Sequence, residues 1–208
     1  MYLLNECVKF ILFMTQKHKI DDSHGISHSF NILHYTNHIY QDESLRNPQL
    51  REQENVIFIA SLIHDMCDKK YMKEEEGMIS IIDFLKKKIS DEEIICIKTI
   101  IETMSYSKVI KNGFPELGEY QLAYHIVREA DLLCAYDVDR CMIFHLFNST
   151  ENNIENAFQT AEQLFDSRVF THRENGLILL DYTKKMVPLL ETQSIMRMNT
   201  WRQIMKIK

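Results

Sequence analysis

Glycine and proline are scarce in this chain of 208 residues, which has 5 Gly and 3 Pro. A sheet protein needs many tight turns, and these two residues supply most of them. Strand-like alternation of apolar and polar residues is also nearly absent from the sequence. The shortage of turn residues therefore favours long helices joined by short loops, and we expect an all-α fold.

Long apolar runs, cysteine pairs and a basic charge balance are missing as well. No stretch approaches the ~18 apolar residues of a membrane span, and the N-terminus lacks a secretory signal pattern. The 5 cysteines form no CxxC pair, which predicts reduced, buried thiols and a cytoplasmic location. The net charge of −6 argues against a nucleic-acid polymer as partner, because phosphate backbones need concentrated basic surface.

Helical periodicity covers most of the chain, and no repeat or low-complexity linker divides it. We therefore predict a single domain over residues 1–208, a compact bundle of about eight to ten helices. The metal-site core is expected at about 20–140, with C-terminal helices at about 151–205 packing on it. The predicted helices span residues 3 to about 20, 23–40, 48–64, 73–88, 91–104, 119–135 and 139–147, with two more within 151–205.

Capping residues and helix breakers set the predicted helix ends. Ser23 and Ser90 are candidate N-caps, since a serine hydroxyl can accept from the first free backbone N–H groups. The clearest loop is residues 112–115, NGFP. In the last third we expect a break near Thr171, and Pro188 is expected to kink or interrupt the final helix.

Histidines and carboxylates fall on segments that are otherwise apolar. His24 and His28 are four residues apart and would share a helix face. The His64-Asp65 pair ends one apolar stretch, and Asp131 lies in another. Burying ionisable groups is unfavourable unless they are paired or bind a metal. A mixed set of nitrogen and oxygen ligands suits a six-coordinate divalent ion better than a closed structural zinc site.

Each of these residues also has an ordinary structural explanation when taken alone. A His-Asp pair at a helix end is usually a cap or a surface pair, and Asp131 could pair with Arg128 or Lys108. His34 and His38 point away from the other histidines at about 100° per residue, so we interpret them as structural or solvated. The order and spacing of the whole set favour the metal interpretation.

Four passages stand in a fixed order between about residues 20 and 140. They are SHGISH at 23–28, LIHDMCDKKY at 62–71, MSYSK at 104–108 and IVREAD at 126–131. Together they resemble the HD superfamily of metal-dependent phosphohydrolases, most closely its small stand-alone nucleotide pyrophosphohydrolases. That superfamily has a histidine, then a His-Asp pair, then a distant aspartate.

The resemblance implies a metal site and a reaction. His28, His64, Asp65 and Asp131 would bind one divalent ion, with Mn²⁺ preferred and Mg²⁺, Fe²⁺, Co²⁺, Ni²⁺ or Zn²⁺ as alternatives. The reaction would be hydrolysis of a nucleotide or related phosphate ester by water that the metal activates. The expected partner is thus a small phosphorylated molecule, and a homodimer is left open.

The resemblance also implies catalytic and substrate-binding residues. Asp68 matches the first acid of the His-Asp-x-x-Glu-Asp continuation that some HD hydrolases carry, where the acids orient water or protonate the leaving group. Lys69 replaces the second acid and suggests a phosphate contact. His24 could face the substrate or a bound water. The side chains expected near the phosphate are Lys69, Lys70, Ser105, Ser107, Lys108 and Arg128.

The sequence departs from the family pattern directly after Asp131. The family branch commonly continues with Arg-Leu-Asp-Ala, whereas residues 132–137 here are LLCAYD. The predicted metal ligands are unaffected, but the substrate specificity of the family does not carry over at this point. Three alternatives stay open: a nucleotide-binding HD protein without catalysis, a di-iron HD oxygenase that uses His125 and His145, and a helical interaction module that uses residues 178–190.

Overall fold

The structure, a computed structural model, describes residues 2–150 and 153–206. These residues form ten α-helices and no strand, so the predicted all-α fold is confirmed. Short 3-10 turns flank α3 and precede α7, and a π-helical turn follows α9. In chain order the helices are α1 (Tyr2–His18), α2 (Ile26–Ser44), α3 (Glu54–Ile63), α4 (Glu74–Leu85), α5 (Asp91–Thr103), α6 (Tyr106–Asn112), α7 (Gln121–Cys134), α8 (Val138–Asn148), α9 (Ile154–Leu164) and α10 (Asp181–Met205).

Helix α3 forms the centre of the bundle. Its sequence is ENVIFIASLI, which is apolar on nearly every side. Among its last seven residues, only Ser61 is polar. A helix that is apolar all round is buried in a protein core, and α3 contacts α1, α2, α5 and α7. The chain leaves α3 through a buried 3-10 turn, His64–Cys67. The His-Asp pair is thereby placed in the interior.

Helices α2 and α7 carry the other two predicted metal ligands beside this turn. His28 is buried on α2, and Asp131 lies in the last turn of α7. Helix α2 packs against both α3 and α7, and α7 packs against α3. Helix α2, the turn after α3 and helix α7 are far apart in the sequence. Their packing brings His28, the His64-Asp65 pair and Asp131 close together.

Several predicted local features are confirmed. Ser90 caps α5 in a capping box: the backbone N–H of Glu93 donates to Ser90 Oγ (3.2 Å), and the backbone N–H of Ser90 donates to Glu93 Oε2 (2.9 Å). The predicted loop after Asn112 begins at Gly113, whose φ of +75° is left-handed and favours glycine. All five cysteines have free thiols, and four of these are buried.

Two predicted helix starts are wrong. Ser23 does not cap α2, because its hydroxyl donates to Asp21 and Gly25 holds the N-cap position. Pro48 opens a 3-10 turn of six residues, and the α-helix begins only at Glu54. Proline lacks a backbone N–H, but neither an α-helix nor a 3-10 helix uses that donor in its first turn. A proline at a helix start therefore does not distinguish the two.

The last third also differs from the prediction. Helix α9 ends at Leu164, and a π-helical turn and irregular residues extend to Leu180, so the break is wider than a point near Thr171. Pro188 lies inside α10 and does not interrupt it. Helix α6 was not predicted, because its seven residues give less than two turns of periodicity. The predicted start near Glu151 lies outside the described residues.

The apolar face of residues 178–190 packs inside the bundle. Ile178, Leu180, Val187 and Leu190 are buried, and α10 contacts α2, α7, α8 and α9. The chain itself therefore covers the face that motivated an interaction module. Among the described residues, no helix combines the length and apolarity needed to cross a membrane.

Candidate metal centre

The four predicted metal ligands converge at one point. His28 Nε2 lies 3.2 Å from Asp65 Oδ2 and 3.6 Å from Asp131 Oδ1. His64 Nε2 lies 3.2 Å from Asp65 Oδ1 and 3.9 Å from Asp131 Oδ1. Ligands that each stand about 2.0–2.2 Å from an ion, at right angles to one another, are roughly 3 Å apart. The two 3.2 Å spacings therefore match neighbouring ligands of one six-coordinate ion, and Asp131 Oδ1 lies somewhat farther from both imidazoles.

The backbone fixes the orientation of the His64 ring. His64 Nδ1 donates to the carbonyl oxygen of Ser61 at 2.9 Å, so in the neutral ring Nε2 carries the lone pair. In the part of the chain that the structure describes, His64 Nε2 is buried and has no hydrogen-bond partner. It faces Asp65 Oδ1, which is also an acceptor. Two acceptors facing each other in the interior are unfavourable unless a proton or a metal ion lies between them, and this donor set fits a metal ion.

The surroundings keep both carboxyl groups ionised. Burial opposes the ionisation of Asp65, but the imidazoles of His64, His24 and His28 hold its pKa well below the usual range. Burial acts in the same direction on Asp131, and His28 and His64 outweigh it and lower its pKa. Both groups are thus available as anionic ligands.

A cavity of about 370 Å³ opens above this cluster. One wall is apolar and includes Ile101, Met104, Leu132 and Leu164, while Phe144 and the half-buried Tyr106 add aromatic rings. His28 lies beneath the floor and is not part of the lining. The predicted site residues that line the cavity are His24, His64, Asp65, Asp68, Lys69, Lys70, Ser105, Ser107, Lys108 and Asp131.

Lys70 is anchored at the cavity by several neighbours. Its Nζ lies 2.9 Å from His24 Nε2, 3.3 Å from Asp68 Oδ2 and 5.0 Å from the centre of the Phe144 ring. Asp68 Oδ1 also accepts from the backbone N–H of Lys70 at 2.9 Å. Burial lowers the pKa of His24 to about 3, with Arg140 and Lys70 contributing in the same direction. His24 is therefore a neutral imidazole at neutral pH.

The remaining predicted phosphate contacts that line the cavity are Lys69, Ser105, Ser107 and Lys108. Lys108 forms an ion pair with Glu74, and Lys69 is exposed at the rim. Ser105 occupies the N-cap position of α6 but makes no side-chain capping bond. Ser107 is exposed in the first turn of the same helix. These groups can therefore reach a ligand without first breaking a buried structural contact.

Arg128 is not at the cavity, so the prediction that it contacts phosphate is corrected. Its side chain is 1% exposed, and its Nη2 lies 3.0 Å from Glu129 Oε1. The guanidinium also stacks on the ring of Phe114, with 4.8 Å between guanidinium carbon and ring centre. Glu129 is fully buried, accepts from the backbone N–H groups of Leu179 and Leu180, and needs a cation beside it. Arg128 thus has a structural partner.

Two arginines that the sequence did not single out line the cavity. Arg140, on α8, places Nη2 2.9 Å from His28 Nε2, and its Nε donates to the carbonyl oxygen of Ser23. Arg168, in the π-helical turn, lies 4.3 Å from the centre of the Tyr106 ring. Neither arginine belongs to a recognisable motif, and only tertiary packing brings them here. They make the cavity more cationic than the sequence indicated.

The histidines considered for a second metal do not form a second site. His125 contacts Gln121 and Phe114 and lies away from the cavity lining. His145 does line the cavity. Over residues 2–150 and 153–206, however, the one group of three or more clustered ligand side chains is His28, His64 and Asp65. Asp131 Oδ1 lies beside this group, 3.6 Å from His28 Nε2 and 3.9 Å from His64 Nε2.

Comparison with known proteins found no family model that matches the chain, and no match among curated proteins or solved structures.

Proposed function

We propose that this chain is an HD-type, metal-dependent phosphohydrolase that acts on a nucleotide or a related phosphate ester. One observation carries the proposal. Two imidazoles and two carboxylates, from α2, α7 and the turn after α3, meet at the floor of a cavity that is lined with cations. The order of the motif passages in the sequence agrees with this assignment.

His28, His64, Asp65 and Asp131 would hold the ion. A divalent metal supplies Lewis acidity when bound: it makes water more acidic and polarises a phosphoryl oxygen. The mixed nitrogen and oxygen ligands favour Mn²⁺, with Mg²⁺, Fe²⁺, Co²⁺, Ni²⁺ or Zn²⁺ as alternatives. The carbonyl of Ser61 keeps the His64 lone pair directed at the ion.

Cationic side chains around the cavity would bind and orient the phosphate. Lys69, Lys70, Lys108, Arg140 and Arg168 all line it, and they offset the negative charge of a phosphate next to two carboxylates. Phosphoryl transfer depends mainly on positioning and electrostatic stabilisation, which is what such groups provide. Ser105 and Ser107 also line the cavity and add hydrogen-bond donors.

The rest of the substrate would lie against the apolar wall. Pockets for small molecules typically measure about 300–1,000 Å³, and this cavity of about 370 Å³ falls in that range. Tyr106 and Phe144 offer aromatic surfaces on which a nucleobase can stack. These features support a compact nucleotide as substrate in preference to a polymer.

Asp68 lines the cavity and is not a proposed metal ligand. Among such acids it is the closest in sequence to the His64-Asp65 pair. Its side chain is 18% exposed and is fixed by the backbone N–H of Lys70. A carboxylate in this position can orient the attacking water or donate a proton to the leaving oxygen. We assign it the acid–base role and leave phosphate binding to the cations.

The test is a turnover screen. Nucleoside mono-, di- and triphosphates and phosphodiesters are incubated with Mn²⁺, Mg²⁺, Co²⁺ or Ni²⁺, and released phosphate, pyrophosphate and nucleoside are measured. We expect metal-dependent turnover of at least one nucleotide, its loss in His64→Ala, and its retention in His125→Ala. Nucleotide binding without turnover under any metal would contradict hydrolysis and support the sensor alternative.

A further inference from the structure

Asp21 gathers hydrogen-bond donors beside the cavity. The hydroxyl and the backbone N–H of Ser23 both donate to its Oδ1, the latter at 2.9 Å. Its Oδ2 accepts from the Tyr71 hydroxyl at 2.7 Å and from the Asn148 amide at 3.2 Å. Burial opposes ionisation, but the bonds from Ser23 and Tyr71 hold the pKa of Asp21 below its usual value. Asp21 is thus an ionised carboxylate and can only accept.

The two hydroxyls that donate to Asp21 also surround one ring nitrogen of His24. His24 Nδ1 lies 2.7 Å from Ser23 Oγ and 3.0 Å from the Tyr71 oxygen. A hydroxyl has a single proton, and both protons are directed to the carboxylate. Both oxygens therefore turn lone pairs toward Nδ1, which must carry the ring proton.

The other ring nitrogen gives the same answer from the opposite side. His24 Nε2 lies 2.9 Å from Lys70 Nζ. An ammonium group donates and never accepts, so Nε2 must supply a lone pair. The neutral ring is thus constrained twice, by a donor at Nε2 and by acceptors at Nδ1.

We propose that Asp21, acting through Ser23 and Tyr71, fixes His24 in the Nδ1–H tautomer, so that Nε2 holds the Lys70 ammonium at the cavity. The three residues are positioning residues for Lys70. In this tautomer Nε2 has no proton to give to a leaving group, which leaves Asp68 as the donor. The contribution of Lys70 to phosphate binding rests on the proposed function, whereas the tautomer does not depend on it.

The arrangement matters because a free lysine loses conformational freedom when it binds a phosphate. Its long side chain has several rotatable bonds that must be fixed, and 42% of the Lys70 side chain is exposed. Holding the ammonium in advance by His24, Asp68 and the ring of Phe144 reduces that loss at the moment of binding.

The direct test is nitrogen NMR of the histidine rings. In protein labelled with nitrogen-15 at histidine, long-range proton–nitrogen spectra at about pH 8, where ordinary imidazoles are neutral, distinguish a protonated ring nitrogen from a bare one. The His24 signals are assigned by their loss in His24→Gln. We expect a protonated Nδ1 and a bare Nε2, and a protonated Nε2 in the parent protein would overturn the proposal.

Variants separate the relay from other causes. Ser23→Ala and Tyr71→Phe each leave one acceptor at Nδ1, so each single variant should keep the tautomer. In a Lys70→Met background, which removes the donor at Nε2, the Ser23→Ala/Tyr71→Phe double variant should lose it. Tyr106→Phe, which removes a hydroxyl elsewhere on the cavity wall, should leave the protonation of the His24 ring unchanged. A double variant that keeps the Nδ1–H signature in the Lys70→Met background would contradict the relay. The parent spectrum decides the tautomer even if the double variant does not fold.

The consequence for Lys70 is measured by titrating inorganic phosphate into the Mn²⁺-loaded protein in a calorimeter. Lys70→Met and the Ser23→Ala/Tyr71→Phe double variant should each bind phosphate roughly tenfold more weakly, and the triple variant should be no weaker than Lys70→Met. Additive losses would show that the relay does not act through Lys70. No phosphate binding by the parent would overturn the proposed function while leaving the tautomer result intact.

Discussion

Arg140 Nη2 lies 2.9 Å from His28 Nε2, although the two residues are 112 positions apart in the chain. A guanidinium only donates, so Arg140 engages the lone pair through which His28 would bind a metal ion. One nitrogen cannot serve both, and the two cations also repel each other. Metal binding therefore requires Arg140 to release His28 and turn toward the cavity that it lines.

Removal of this competition should tighten metal binding. In Arg140→Met, His28 Nε2 is free, and we expect the affinity for Mn²⁺, measured by calorimetry, to rise by about tenfold, the value of one hydrogen bond to a charged group. Methionine keeps much of the apolar side-chain volume, which limits the change in packing.

Arg168→Met is the matched control for that experiment. Arg168 also lines the cavity but stacks on Tyr106 and does not bond to a proposed ligand in the described structure. We expect a smaller gain in Mn²⁺ affinity, because Arg168 would repel the ion by its charge but does not occupy a ligand atom. Equal gains in both variants would contradict direct competition and indicate a general effect of cavity charge.

Mn²⁺ should stabilise the folded chain through the four converging ligands. A ligand that binds only the native state adds about 2.7 kcal/mol at a hundred times its dissociation constant, which raises the Tm of a domain of this size by roughly 5–11 °C. We expect this increment, measured by calorimetric melting with and without Mn²⁺, to vanish in His64→Ala.

His125→Ala controls for the loss of a partly buried histidine. His125 packs against Phe114 and does not face the cluster, so the Mn²⁺ increment should persist even if the variant melts earlier. A full increment in His64→Ala would show that Mn²⁺ binds elsewhere. The comparison depends on increments and not on absolute Tm values.

Sequence order was sufficient to predict which side chains meet at the cluster. The predicted pattern of His28, His64-Asp65 and Asp131 depends on three helices packing together, and each of the three carries apolar residues that are buried in the bundle. The motif alone did not reveal Arg140. Helix α8 brings this residue to His28, and no local sequence pattern indicates it. Long-range contacts of this kind depend on tertiary packing, which a single sequence does not specify.

The errors concern residues whose partners are set by their neighbours. Arg128 was assigned to phosphate, but its guanidinium pairs with the adjacent buried Glu129. Ser23 was assigned as a cap, but its hydroxyl donates to Asp21 and lies next to His24 Nδ1. In both cases the sequence indicated that the side chain has a polar partner, but the partner that it indicated was wrong.

The buried ion pair of α7 is expected to be critical for stability. Glu129→Gln removes the anion beside Arg128 and weakens the acceptor of two backbone N–H groups. Breaking a buried pair by removing one partner typically costs about 3–5 kcal/mol, which we expect from urea unfolding. The double variant Arg128→Met/Glu129→Gln should recover part of this loss, because no cation is then left unpaired. A loss below about 1 kcal/mol would show that the pair is solvated.

Acid should destabilise the fold in part through His172. This ring is fully buried between Tyr106 and Tyr136, and burial, followed by the charge of Arg168, lowers its pKa to about 4. Between about pH 6.5 and that value, the unfolded ring binds a proton that the folded ring does not. The free energy of unfolding should therefore decrease as the pH is lowered through this window, by about 1.4 kcal/mol per pH unit for one group.

Two variants isolate this contribution. His125 also has its pKa lowered to about 4, by burial and then Arg128, so His125→Phe and His172→Phe should each remove up to one proton from the pH dependence of unfolding. Urea unfolding at several pH values in the presence of a chelator measures the slope, and other groups titrate equally in parent and variant. An unchanged slope in His172→Phe would mean that the folded ring is protonated or solvated.

Asp68→Asn should separate catalysis from metal binding. The amide oxygen can still accept from the backbone N–H of Lys70, so the turn should keep its shape, but the side chain can no longer exchange a proton. We expect unchanged Mn²⁺ affinity and a drop in kcat of about 10²–10⁴-fold, the usual range for a lost acid–base group. Asp83→Asn, an exposed site on α4 paired with Lys86, should leave turnover unchanged. Full turnover in Asp68→Asn would remove Asp68 from the mechanism, and a matching loss of Mn²⁺ affinity would mean that it supports the ion instead.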